Sequence, residues 1–329
     1  MLSKASPLCQ SPGGFHISPL LQEHMLRMGS KLVFEEACEE LELLIGVDMS
    51  AKQIERVCHF YGDLLEQLEW SEAYSDGIQL KLELKPKDIT YIMVDGSMLL
   101  TREEKWKEIK LGRIFTSSSI TQTSKNRGLI TNTVYVSHFG KAEEFWEKLS
   151  KEIPANENIV FINDGAKWIW NYIKDHYPNS TQILDYYHCK EHLYDFAKHY
   201  FNNNKAQTES FVDLVTDLLF TKKVDQALEI INSLQCTSQA KQKEKEKLLN
   251  YLKTNKNRIN YGQYAKQGLL IGSGAIEAAH REILQKRLKL SGQRWTIKGA
   301  QQIANLRTYK KSNSWNEVKN LIVSNNIAA

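Results

Sequence analysis

The chain is poor in cysteine and has no paired cysteine motif. Its five cysteines, Cys9, Cys38, Cys58, Cys189 and Cys236, are scattered and odd in number, and none forms a CxxC. That spacing argues against a disulfide framework or a zinc ribbon and for reduced thiols in a cytosolic protein. No stretch approaches the roughly 18 consecutive apolar residues of a membrane span, so no membrane partner is expected. The opening MLSKASPLCQSPGG has no apolar signal core. Gly272 and Gly274 are not followed by Gly-Lys-[Ser/Thr], which excludes a phosphate-binding P-loop. There is no internal repeat. What is present is 329 residues, 42% hydrophobic and 25% charged. These are the proportions of a globular protein of two or three units, not of a disordered, collagen-like or coiled-coil chain.

Charge is divided unevenly along the chain. Residues 1–90 hold 8 Lys/Arg against 15 Asp/Glu, a net of −7. Residues 278–311 hold 9 cations against Glu282 alone, a net of +8. A basic block of that kind suits a polyanion, or else forms a solvated helix face.

Ser18-Pro19 opens an apolar run at helical spacing, and a second run extends from Val33 to Ile45. Ser50 with Gln53 three residues on marks a capping-box start for a helix through about Leu68. Helix, turn, helix invites comparison with a DNA-reading motif, but the acidity of the segment favours packing or assembly. Beyond residue 88 the pattern changes. Tyr91–Val94 reads as a buried strand stopping at Asp95-Gly96, and residues 106–116 and 129–139 as two further strands. Residues 141–152 suit a helix. Ile159–Ile162 is a buried strand ending at Asp164-Gly165, with a helix from Ala166 to His176. Thr181–Leu184 runs into Asp185 and a helix from about His188 to Tyr200. The order β-β-β-α-β-α-β-α is that of an RNase H-like core, an α/β fold with a mixed five-stranded sheet flanked by helices. Residues 203–265 are polar and helical. Helices are expected from Ala275 to about Leu290 and from Thr296 to about Tyr309. Four segments result: a helical N-terminal region (1–88), the first part of the core (89–202), an all-α insertion (203–268), and the C-terminal basic helices of the core (269–329).

Three acids stand out: Asp95 and Asp164 at strand ends, and Glu277 early in a late helix. Taken singly, an Asp-Gly after a strand is a common turn, and an acid in a first helical turn complements the helix dipole. Taken together in this strand order, three converging carboxylates would repel one another unless they held divalent cations. An oxygen-only set suits two Mg²⁺ or Mn²⁺ ions acting on a phosphodiester. Asp185 and His188 form D-x-x-H, a weak signal by spacing. Cys189 and His192 share a helix face, yet four zinc ligands in two pairs are not assembled, and no zinc is expected. The segment IGSGAIEAAHREILQKRLKLSGQRW at 271–295 combines a tight turn, an acid and a basic helix. Its Arg281, Lys286, Arg287, Lys289 and Arg294 are placed to hold phosphates, and Trp295 is either core or a platform for an unpaired base.

At this point the sequence resembles a family of bacterial DDE transposases, the insertion-sequence ISKra type, distantly related to Mutator-like transposases with a C/D-x-x-H signature. The matching stretches are SPLLQEHMLRMGSKLVFEEACEELELLIGVDMSAKQIERV at 18–57, VDG at 94–96, WKEIKLGRIF at 106–115, NDGAKWIW at 163–170, LDYYHCKEHL at 184–193 and GSGAIEAAHREILQKRLKLSGQRW at 272–295. The resemblance implies that Asp95, Asp164 and Glu277 are the catalytic, metal-holding acids, and that Asp185 and His188 are a supporting pair. It implies DNA transposition by hydrolysis at element ends and attack of the released 3′-OH on target DNA. It further implies a homo-oligomer acting on two DNA ends, in the bacterial cytoplasm at the nucleoid. Members of the family carry an upstream cysteine-rich segment with CxxC pairs; here Cys9 is the only early cysteine, so this chain is expected to lack that segment. The competing expectations are a DNA-binding transposase remnant without activity and another RNase H-like DNA nuclease.

Overall fold

The computed structural model describes residues 15–71, 82, 84–124, 127–155 and 158–327; Cys9 lies outside them. Three helices come first: α1 (Pro19–Gly29), α2 (Phe34–Ile45) and α3 (Ala51–Trp70). Ser18 caps α1 and Ser50 caps α3 through bonds accepted from Leu21 N and Gln53 N. Gly46, at φ 67°, ends α2 in the left-handed conformation that glycine adopts without penalty. These match the expected helices.

The strands are β1 (Thr90–Thr101), β2 (Lys105–Thr116), β3 (Ile120–Ser124), β4 (Arg127–Ile130), β5 (Val134–His138), β6 (Ile159–Asn163) and β7 (Thr181–Leu184). The main sheet is five-stranded and mixed, in the order β5-β2-β1-β6-β7. β2 and β5 are antiparallel, whereas β1–β6 and β6–β7 are parallel. Helices α4 (Ala142–Glu152), α5 (Lys167–His176) and α6 (Tyr186–Tyr200) alternate with the later strands. The result is an α/β fold compatible with an RNase H-like core.

Two strand expectations need correction. β1 does not stop at Asp95 but continues to Thr101, because Leu99 and Thr101 turn inward again after a half-buried stretch. The strand read over 129–139 is two strands: β4 pairs with β3 in a separate two-stranded sheet, while β5 joins the main one. β-branched residues run through both pieces, so composition gave no sign of the break.

After α6 come α7 (Lys205–Phe220), α8 (Val224–Ser233), α9 (Gln239–Thr254) and α10 (Tyr261–Lys266), all helical as expected. The late helix is interrupted: α11 (Gly274–Ala279) and α12 (Lys286–Leu288) flank a π-helical stretch, His280–Gln285. Two helices close the chain, α13 (Ile297–Lys311) and α14 (Trp315–Ile327), the second without a counterpart in the sequence reading.

The chain divides into two compact units, residues 1–88, 95–155 and 276–329 in one, and 89–94 and 156–275 in the other. In the first, α13 is buried continuously from Gly299 to Tyr309. Its Gln301, Asn305 and Arg307 side chains are paired, as burial requires. Gln301 accepts from Phe139 N at 2.6 Å, Asn305 donates to Glu66 Oε2 at 2.7 Å, and Arg307 donates to the carbonyls of Ser30, Ile283 and Glu282. In the second unit, the core comprises the apolar runs of β6 and β7 with Cys189, Leu193 and Ala197 of α6 and Val212 and Val215 of α7.

Candidate active site

β1 pairs with β6 in the register Thr90↔Ile159 to Ile92↔Phe161. Where the ladder ends, Val94 N donates to the side-chain Oδ1 of Asn163 at 2.6 Å. The next residue of each strand is an acid, Asp95 after Val94 and Asp164 after Asn163. Asp164 is half-buried; its Oδ1 accepts from Ala166 N at 2.9 Å and its carbonyl from Trp170 Nε1 at 2.6 Å. These bonds fix the turn into α5.

Asp185 is completely buried and caps α6. Its Oδ1 accepts from Tyr187 N at 2.5 Å and His188 N at 3.0 Å. Its Oδ2 accepts from both Ser273 N, at 2.6 Å, and the Ser273 hydroxyl. Tyr186 N donates to Ile271 O at 2.9 Å, so the glycine-rich turn is fastened to the first turn of α6 by three bonds. Gly272 lies against Tyr187 there: a Cβ would meet its Cε2 at 2.6 Å, so the ring would have to shift. His188 is half-buried, its Nδ1 3.9 Å from Asp185 Oδ2. The D-x-x-H spacing thus belongs to a helix cap that also holds the turn preceding Glu277. Glu277 itself is exposed, four residues beyond Ser273 on α11.

In the other unit, Asp95 accepts from Gly96 N at 2.7 Å, and its Oδ2 stands 3.3 Å from His280 Nε2. His280 is buried, at 4% exposure. Burial, with help from the Lys289 charge, lowers its pKa to about 4 against a backbone hydrogen bond with Asp95, so it is neutral at pH 7. Glu108 of β2 crosses directly over Gly96, where a Cβ would collide with its carboxylate, and is paired with Lys110 at 3.0 Å. His280 was not singled out from the sequence. The available signal was its place three residues after Glu277, a spacing that puts two side chains on one helix face.

The predicted phosphate contacts separate by environment. Arg281, Lys286, Lys289 and Arg294 are exposed. Lys289 donates to Ser97 Oγ at 3.0 Å, two residues beyond Asp95 on β1, and Lys286 pairs with Glu282. Arg287 is 1% exposed. Its Nε donates to Gly29 O at 3.1 Å, and its guanidinium lies 4.7 Å from the Phe34 ring and 4.9 Å from the Trp295 ring. As a surface contact for phosphate, Arg287 is therefore corrected: the fold places it inside. Trp295 is half-buried, and its backbone bridges to Thr101. The thiols of Cys58 and Cys189 are buried, which pushes both up to about 12, away from ready thiolate chemistry.

Among the described residues no helix is long and apolar enough to cross a membrane. No protein-family model matches the chain. It is similar to the "UPF0236 protein in vanSb 3′region" of Streptococcus gallolyticus, with 25% identity over 305 residues, covering 90% of this chain. The chain spans 64% of that relative's length. The relative's name gives a genomic position and no activity, so the likeness is one of sequence, to a protein of that designation.

Proposed function

We propose that the protein is a DDE-type DNA transposase, with an RNase H-like core, in which Asp95, Asp164 and Glu277 are the three acids that hold two Mg²⁺ or Mn²⁺ ions. The observation that carries this reading is the Val94–Asn163 bond at the end of the parallel β1–β6 ladder, because the next residue of each strand is one of the two aspartates. Their chemistry fits the ions: the donors are carboxylate oxygens, which hard divalent cations prefer, and Asp164 and Glu277 retain solvent access. Bound Mg²⁺ or Mn²⁺ supplies Lewis acidity at the scissile phosphodiester. The chain's own residues do the rest. His280, neutral and beside Asp95, supports that carboxylate without adding a cation. Asp185, with Ser273, positions the start of the helix that bears Glu277, and His188 stands beside that cap. Arg281, Lys289 and Arg294 are cations available to DNA phosphates at the element ends and the target. The working form is a homo-oligomer on two DNA ends, at the nucleoid.

The test is a labelled duplex carrying an element end, incubated with protein and Mg²⁺ or Mn²⁺. Nicking and end joining are expected from the native chain. Asp164→Asn and Glu277→Gln are expected to lose both by at least about a hundredfold, equivalent to roughly 2.7 kcal/mol of barrier, while binding the duplex unchanged. Full metal-dependent activity in either variant overturns the assignment, and nicks without joined products identify a nuclease instead.

A further inference from the structure

The basic segment after Glu277 presents cations on two sides. His280 and Lys289 meet Asp95 and Ser97 of β1. Glu282 and Lys286 instead face the end of α13, where Lys311 pairs with Glu282 at 3.0 Å. On that second side Lys31, Lys286, Arg307, Lys310 and Lys311 line a groove of about 530 Å³, with Glu282 as its one acid among the described residues. All of it lies within the unit containing α1–α3 and α13. Lys31 comes from the turn after α1, in a region that is acidic in total.

The protein leaves this cluster largely unneutralised. Glu282 is shared by Lys286 and Lys311. Arg307 is interior, and its N–H groups go to the carbonyls of Ser30, Ile283 and Glu282, so it adds charge from behind and no surface contact. Lys31 is exposed, and neither it nor Lys310 pairs with a carboxylate among the described residues. Lys310 Nζ donates to Arg27 O at 3.4 Å and stands 5.9 Å from the Trp315 ring. Burial, with the charges of Arg27, Arg307, Lys31 and Lys311, pulls the Lys310 pKa down to about 8. Like charges brought together from three segments cost free energy unless an anion joins them.

The lining specifies the anion. Ammonium groups on flexible stems act as point charges for phosphate oxygens. Leu32 is the one apolar lining residue among the described ones, so the groove has no ring on which a base would stack and no apolar face for a lipid chain. Recognition by charge alone is how proteins hold a nucleic-acid backbone without reading its sequence. We propose that the groove of Lys31, Lys286, Lys310 and Lys311 is a second DNA contact, holding backbone phosphates on the side of the helix away from Asp95. The proposal rests on the reading of the protein as DNA-acting and adds to it a strand segment outside the metal-holding acids.

Two measurements on the full chain test it. Acetylation of amines by a water-soluble N-hydroxysuccinimide ester, read by peptide mass spectrometry, is expected to slow severalfold at Lys31 and Lys310 when a random-sequence duplex is bound. Inorganic pyrophosphate at the same phosphate concentration is expected to protect them less. Unchanged labelling with duplex, or protection by pyrophosphate as strong as that by duplex, overturns the proposal. In the second, Lys31→Gln and Lys310→Gln are each expected to weaken duplex binding about threefold to tenfold at about 0.1 M salt, and to reduce the slope of log affinity against log salt by about 1. Lys31 is exposed, so its variant keeps the test open if Lys310→Gln does not fold; native affinity and slope in Lys31→Gln overturn the proposal. The two readings fail separately. A native chain that nicks element ends while Lys31→Gln binds duplex unchanged keeps the transposase and loses the groove. A chain that never nicks, yet shows the protection and the reduced slope, keeps the groove and loses the transposase.

Discussion

Asp185 accepts two bonds from Ser273, one from its backbone N–H and one from its hydroxyl, and so binds the first turn of α6 to the glycine-rich turn 88 residues away in the chain. With its two further bonds from Tyr187 N and His188 N, this carboxylate is fully occupied. Within the fold it holds the start of α6 and the glycine-rich turn together.

Removing it should cost stability before it costs chemistry. Asp185→Ala loses a helix cap and leaves Ser273 unpaired, at about 2–4 kcal/mol. Ser273→Ala should cost about 1–2 kcal/mol. Because both remove the same contact, the double variant should be less destabilised than the sum, by about 1 kcal/mol or more in urea unfolding. Additive effects would show that the two residues are not coupled.

Arg287 and Lys289 should part company when reversed in charge. Arg287→Glu puts an unmatched carboxylate where a buried cation sat, and should cost about 3–5 kcal/mol. Lys289→Glu is a surface change expected within about 0.5 kcal/mol. It should instead weaken DNA binding and reduce the slope of log affinity against log salt by about 1. Unfolding and salt titration of both variants check this; similar stability in the two would contradict the burial of Arg287.

His280 should make the protein more sensitive to acid. Its folded pKa, about 4, lies below the 6.5 of an ordinary histidine, so between those values the unfolded chain binds the extra proton. The stabilisation is complete above pH 6.5 and declines as pH falls toward 4, by at most on the order of 3 kcal/mol. His280→Asn should flatten that part of the stability–pH curve relative to the native chain. Parallel curves between pH 4 and 6.5 would show that the fold does not lower the pKa of His280.

Lys148 joins α4 to α3. Its side chain is 2% exposed and its Nζ lies 2.5 Å from Glu66 Oε1 and 2.8 Å from Glu69 Oε2. Lys148→Met leaves those carboxylates without their cation and should cost about 3–5 kcal/mol. The loss should shrink at low pH, where the glutamates can protonate. Equal losses at pH 4 and pH 7 would argue that packing, not charge, sets the cost.

Several elements were legible because local chemistry decides them. Ser18-Pro19 and Ser50 set helix starts, and the apolar run Ile159–Ile162 and the Ile183-Leu184 pair mark the short strands β6 and β7, which pair in parallel. The division of 129–139 between two sheets was not legible, since β-branched residues suit either sheet. Nor was the length of β1, whose half-buried middle at Asp95–Ser97 looks like a strand end. His280 was passed over because its meaning depends on Asp95, far off in the chain.

The sequence by itself determined the starts of α1 and α3, the strands β6 and β7, the placing of Asp95 and Asp164 next to apolar strand residues, and the excess of cations after Glu277. Each depends on neighbours within a few residues, where periodicity and capping act. The tertiary structure alone decided that Arg287 and Arg307 of the basic block are interior while Lys289 is not, and that Asp185 serves Ser273. Those outcomes depend on which distant segments exclude water from a group, and burial is a property of the packed chain that composition does not encode.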